Sequence, residues 1–202
     1  MRKAFTLAEI LITMGIVGVV SAMTVPALNQ SWQRDAYVTQ LRKVYSEVAQ
    51  ATVRCKTDNN VQSLLEARIN GNTIKEKFID NNFTVIKHCA AKSGCFADKY
   101  KTVNGTSVES STFHACNTVD VIASGAVLCT YWSSVNQIRI IVDVNGLKDP
   151  NIIGRDLFAM QIDKDGKVDD IDSKSTFDGS KTNPLESGAL GQIINDGWKM
   201  KY

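Results

Sequence analysis

Residues 5 to 28, FTLAEILITMGIVGVVSAMTVPAL, form an apolar run that carries a single charge, Glu9. No other stretch constrains the chain as strongly. As a helix the run reaches roughly 36 Å at about 1.5 Å per residue, and the hydrocarbon core of a bilayer is about 30 Å thick. Arg2 and Lys3 precede it, and the next basic residue is Arg34. The preference of basic residues for the cytoplasmic side puts the N-terminus inside and the rest of the chain outside. Gly15 and Gly18 permit close approach between packed helices, although Gly is common in membrane helices in any case. Pro26 lacks an amide hydrogen and crowds the preceding turn, so a kink or local melting is expected there.

Three readings fit such a segment. One is a secretory signal peptide with a small-residue cut site at Val20-Ser21-Ala22. The second is a plain membrane anchor, and the third is a segment specialised for assembly. Glu9 weighs against the first two. An ionised side chain at mid-helix costs about 2.5–3.5 kcal/mol, less near an end, and a carboxylate kept in lipid usually serves a function and has a partner.

Ala4-Phe5-Thr6-Leu7-Ala8-Glu9 followed by an apolar helix, with Pro26 towards its end, resembles the N-terminus of type IV prepilins and type II secretion pseudopilins. The resemblance covers about the first 50 residues. It implies a short basic leader, residues 1–4, removed by a prepilin peptidase between Ala4 and Phe5, with N-methylation of Phe5. The residue before the cut is usually Gly in this family, whereas here it is Ala4. Glu9 corresponds to the family's glutamate, Gly15 and Gly18 to its small helix residues, and Pro26 to its kinking proline. The implied protein is a structural subunit, not an enzyme. It enters the bacterial cytoplasmic membrane as a single pass with its C-terminus outside, then polymerises with itself or other pilins into a type IV pilus or type II secretion pseudopilus. Implied partners are the peptidase/methylase, an inner-membrane platform with its assembly ATPase, and lipid before assembly. The physical logic is that cleavage creates an α-amino group, which the Glu9 carboxylate of a neighbouring subunit neutralises. Two lone charges in lipid are expensive, and a pair less so.

Beyond Leu28 the pattern turns amphipathic. Tyr37, Leu41, Val44, Val48 and Ala51 recur at steps of three and four, with Tyr45 beside them, while Gln40, Arg42, Lys43 and Glu47 take the other side. This predicts helix to about Ala51–Arg54, so that residues 5–28 form the transmembrane and assembly helix and 29–54 its amphipathic continuation. Residues 55–202 form the globular domain. In it, Val61–Arg68 reads as a short helix, and Asn72 as the cap of another running to Phe78–Ile79. Strands are expected at Thr84–Lys87, Ala126–Trp132, Gln137–Val144, Asp156–Ile162 and Val168–Ile171, with a hairpin turn at Asp165-Gly166. The end from Leu190 reads as a helical turn leading to a short final strand. The fold class is α+β: a long N-terminal helix, membrane-spanning in its first half, whose C-terminal half packs on an antiparallel sheet in a pilin-like arrangement. The segment from Val142-Asp-Val-Asn-Gly to Arg155-Asp-Leu-Phe resembles an element of pilin-like proteins.

The chemistry in this domain is sparse. Basic and acidic residues number 23 and 21, a net charge of +2, and nothing points to nucleic acid. The five cysteines contain no CxxC and only two histidines accompany them, so zinc is weakly supported and disulfides in an exported domain fit better. Cys89 and Cys95 enclose Ser93-Gly94, tight enough to bridge, and Cys116 and Cys129 are placed to bridge two strands. Cys55 is then left over, and reduced buried cysteines are the rival reading. Asp163 and Asp165, with Asp172 further on, suggest calcium, yet Gln161 in the first ligand position fits the loop pattern poorly; a hairpin turn with solvated carboxylates accounts for them as well. A Cys89–His114 nucleophile lacks supporting spacing. There is no phosphate-binding Gly loop or GxSxG, and no cofactor is implied. Trp32, Trp132 and Trp198 read as packing or interface residues, Trp32 being placed for a membrane surface. The alternative function from another class is a secreted or membrane-anchored extracytoplasmic binding domain, cut near Ala22 or left uncut.

Overall fold

A computed structural model describes residues 6–171 and 176–202, the side chains of Pro26 and Ala27 aside. Residues 1–4, Phe5 and Asp172 therefore lie outside the described residues, and with them the leader, the cut site and one calcium candidate. The chain divides into two compact units, one ending at Ala36 and the other spanning Tyr37–Tyr202.

A single helix, α1, runs Leu7–Asp58. Both its ends are made by short polar side chains. Thr6 begins it with a reciprocal box: the Thr6 amide and hydroxyl donate to Glu9 Oε2 at 2.8 and 2.9 Å, and the Glu9 amide donates back to Thr6 Oγ1 at 3.3 Å. At the other end Asn60 takes a left-handed φ of 51°. The Val61 amide then reaches Lys56 O at 3.0 Å and the Asn60 amide reaches Thr57 O at 3.0 Å, which closes the helix in a Schellman arrangement. The helix thus passes the Ala51–Arg54 stop expected from periodicity. Its last turn is held in place by Lys56 Nζ, which donates to Asp165 O at 2.7 Å. Helical backbone also continues through position 26; the Pro26 side chain lies outside what is described.

In the second unit, among the described residues, eight strands follow: β1 Val85–Cys89, β2 Lys99–Lys101, β3 Ser107–Glu109, β4 Thr118–Ile122, β5 Val127–Trp132, β6 Ile138–Asp143, β7 Leu157–Ile162 and β8 Val168–Asp169. Six form an antiparallel sheet in the order β1-β4-β5-β6-β7-β8, while β2 and β3 pair separately. The β7–β8 hairpin turns at Asp165-Gly166, where Gly166 has φ 91° and the Asp163 amide donates to Lys167 O. A short helix α2, Ala189–Asn195, comes near the end.

Alternation along the strands sends side chains to two cores. Leu128 on β5, Ile138, Ile140 and Val142 on β6, and Phe158, Met160 and Ile162 on β7 pack with Val38, Leu41, Val44, Val48, Ala51 and Cys55 of α1. Their sheet neighbours Val127, Cys129, Tyr131, Ile141, Leu157 and Ala159 face the other way, against Phe96, Tyr100, Val108, Phe113 and Ile153. The second core is roofed chiefly by the long β1–β4 connection, which carries β2 and β3.

Three further expectations need correction. Val61–Arg68 forms turns, not a helix; the Leu64 side chain is buried and its amide donates to Lys164 O at 2.9 Å, which fixes an irregular path. Asn72 does not cap the next element. Asn70 Oδ1 accepts the amides of Asn72 and Thr73, and a π-helical stretch Lys75–Asp80 follows. No strand follows α2: Trp198 sits at φ 61° and packs edge-on against Tyr45, while the terminal Tyr202 hydroxyl donates to Gly154 O at 2.8 Å. Finally, β2, β3 and β4 were not anticipated.

Candidate assembly segment and the chemistry of the globular unit

From Leu7 to Val25 every residue of α1 is exposed, and Leu28 is 54% exposed. Leu7 at 80% and Met14 at 71% are typical of this stretch. Among the described residues this is the helix long and apolar enough to cross a membrane. A Cβ added at Gly15 or Gly18 would meet nothing within 4 Å, so both leave open room on the helix surface for another molecule. Glu9 is the one carboxylate in this surface, and its cap to Thr6 leaves it oriented at the helix start. Trp32 follows, 70% exposed, whereas Trp132 and Trp198 pack against the helix-side core.

In the globular unit Cys89 is bonded to Cys95 and Cys116 to Cys129, with Cys55, on the buried side of α1, free. Burial pushes the Cys55 thiol up, away from the reactive thiolate. The Cys89–His114 nucleophile is excluded, because Cys89 holds no thiol and His114 instead stacks on Tyr131 at 3.9 Å with Nδ1 against Ala115 O. Of the calcium candidates, Asp163 takes part in the β7–β8 turn. Asp163 Oδ1 accepts the amides of Asp165 and Lys167 at 3.0 and 2.8 Å, and Lys167 Nζ pairs with Asp169 at 2.7 Å. These are turn-making contacts, and among the described residues no group of three or more His, Cys, Asp or Glu is placed to hold a metal.

Two buried polar networks escaped the sequence reading. In the first, Asp120 is fully buried between the His88 Nδ1 and the Thr118 hydroxyl at 2.7 Å. The other side of the His88 ring lies 3.5 Å from Asp80, itself bound by Lys75 at 2.7 Å. In the second, Asp143 and Asp156 shape the β6–β7 loop from inside. Asp143 accepts the amides of Asn145 and Gly146 and the Tyr100 hydroxyl at 2.5 Å. Asp156 accepts those of Asn151 and Ile152 at 2.7 and 2.6 Å. Burial raises Asp143 to about 8 and Asp156 to about 6, and the charge of Asp156 adds to the rise at Asp143. Burial, then Asp143, keep the Tyr100 hydroxyl protonated. A signal existed in the sequence: an aspartate, Asp143, inside the β-branched run Ile140–Val144 that closes on Asn145-Gly146.

A groove of about 700 Å³ lies between the end of β1, the β2–β3 pair and the start of β4. Cys89 and Cys116, one from each disulfide, line it, together with Lys92, Lys99, Glu109 and Ser110. No His, Cys and acid stand together there as a catalytic set. The chain matches no protein-family model, no curated protein and no solved structure.

Proposed function

We propose that the protein is a non-enzymatic filament subunit, a pilin or pseudopilin, that polymerises through its N-terminal helix. What supports this reading most is one observation: an apolar helical surface, exposed from Leu7 to Val25 and at Leu28, that carries a single carboxylate, Glu9, at its start. A plain anchor needs no carboxylate, and its desolvation is unfavourable unless a positive charge meets it. Cleavage between Ala4 and Phe5 makes that positive charge on each subunit, and Glu9 of a neighbour receives it. Gly15 and Gly18 give the adjoining helix room to approach. The subunit enters the cytoplasmic membrane first, is trimmed and methylated at Phe5 by a prepilin peptidase, and is drawn into the filament by an inner-membrane platform and its ATPase.

The mass of the mature N-terminal peptide tests this. N-methyl-Phe at residue 5 is the expected result. An intact Met1, or a start at Met23, would falsify it and leave a membrane-anchored or secreted binding domain.

A further inference from the structure

The two disulfides do not staple distant parts of the unit. They bracket one connection, residues 90–117, at its two ends. Cys89 closes β1 and bonds forward to Cys95; Cys116 precedes β4 and bonds to Cys129 on β5. In the register of the sheet Cys89 and Cys129 flank the same residue, Val119, so the two bridges stand side by side on the outer face. The helix-side core contains neither bridge; its cysteine is the free Cys55.

Between the bridges the connection consists of two arms and a hairpin. Lys92 ties the arms together, its Nζ donating to Ser110 O at 3.2 Å and Phe113 O at 2.7 Å. The hairpin is fastened elsewhere, by Tyr100 to Asp143 and by the Lys101 amide to Asn151 O at 2.8 Å. Besides the bridges, the arms meet the sheet through Lys87 Nζ of β1, which donates to Gly94 O at 3.1 Å, through Asn117, whose amide donates to Thr130 O and whose Oδ1 accepts the Trp132 amide, and through Phe96 and Phe113, which pack into the second core. Beneath them lie Val119 and the buried Tyr131, on which His114 of the second arm is stacked.

We infer that residues 90–117 form a redox-locked cover: the bridged chain holds both arms over the outer face of the sheet, and reduction frees them while the core between α1 and the sheet stays folded. In the releasing step a dithiol such as dithiothreitol gives two electrons and two protons to each bridge and closes to its own cyclic disulfide, leaving two cysteine thiols. Opening each bridge restores freedom to the chain ends it had constrained, and the regions then differ in local stability. The inference does not depend on the filament reading.

Amide hydrogen exchange of the full chain in detergent micelles, before and after dithiothreitol, decides it, with mass labelling of Cys89, Cys95, Cys116 and Cys129 showing that both bridges opened. The amides of Phe96, Ser110 and Phe113 each donate within the cover. On reduction they are expected to exchange about tenfold faster or more, as local opening demands, while Leu41–Cys55 and β6 keep their protection. Unchanged exchange of the arm amides overturns the inference. So does loss of helix-side protection in the same step, because the unit is then one cooperative block.

Discussion

Glu9 is satisfied twice over by Thr6 at the start of α1, so its cap and its charge are separable. Glu9→Gln keeps a side chain that serves a capping box equally well and removes the charge. The expected outcome is normal membrane insertion with no incorporation into filaments, scored by cell fractionation and filament shearing. Thr6→Ala removes the cap and leaves the charge. It is expected to weaken the first turn by about 0.5–2 kcal/mol, seen as faster exchange of the amides there. Buried carboxylates make a different prediction. Asp143 and Asp156 rise from their ordinary 3.8 to about 8 and about 6. A folded pKa above the unfolded one means stability that is complete below about pH 4. It is lost as pH climbs through about 6 for Asp156 and about 8 for Asp143. Thermal melts between pH 4 and 9 should show Tm falling, and Asp143→Asn should flatten the upper part of that fall. For Asp120, buried against His88 and the Thr118 hydroxyl, His88→Ala removes one of its hydrogen-bond partners and should cost about 1–3 kcal/mol in denaturant melts.

At the level of elements, the second half of α1 shows how far periodicity carries. The stripe of Leu41, Val44, Val48 and Ala51 is fully or almost fully buried against the sheet, as its spacing requires. Leu41→Ala is expected to lose about 2–5 kcal/mol, whereas Lys43→Ala on the exposed side should stay within about 0.5 kcal/mol, both by urea denaturation. The strands β1 and β5 to β8 were legible as short, mostly apolar runs, several of them bounded by turn signals such as Ser124-Gly125, Asn145-Gly146 and Asp165-Gly166. β4 was not, because Asp120 in the middle of TVDVI reads as a solvent-facing residue when in fact it is buried, beneath the half-exposed His88 and beside Thr118. β2 and β3 have three residues each, too few for a period to declare itself. The helix expected at Val61–Arg68 had adequate propensity, but tertiary contact through Leu64 outweighed it.

Considered whole, the molecule has one unit whose apolar surface is exposed and another with its own two cores. Tyr37–Tyr202 contains the amphipathic half of α1, the complete six-stranded sheet and both disulfides. Expressed without the first 36 residues into an oxidising compartment, it should fold as a soluble unit. Circular dichroism with a cooperative melt, and a mass four hydrogens below the fully reduced chain, are the expected results; an aggregated or unstructured product would contradict them.

The amino-acid sequence by itself determined the apolar segment and its lone carboxylate, the amphipathic stripe that follows, and most of the sheet. These are properties of residue order along a helix or strand, so a local period is enough to express them. Only the tertiary structure decided that Asp120, Asp143 and Asp156 are interior, that Cys89 and Cys129 lie either side of Val119, and that one long connection covers the sheet's outer face. Each of those depends on residues far apart in the chain meeting across strands, and no local pattern encodes the register that brings them together.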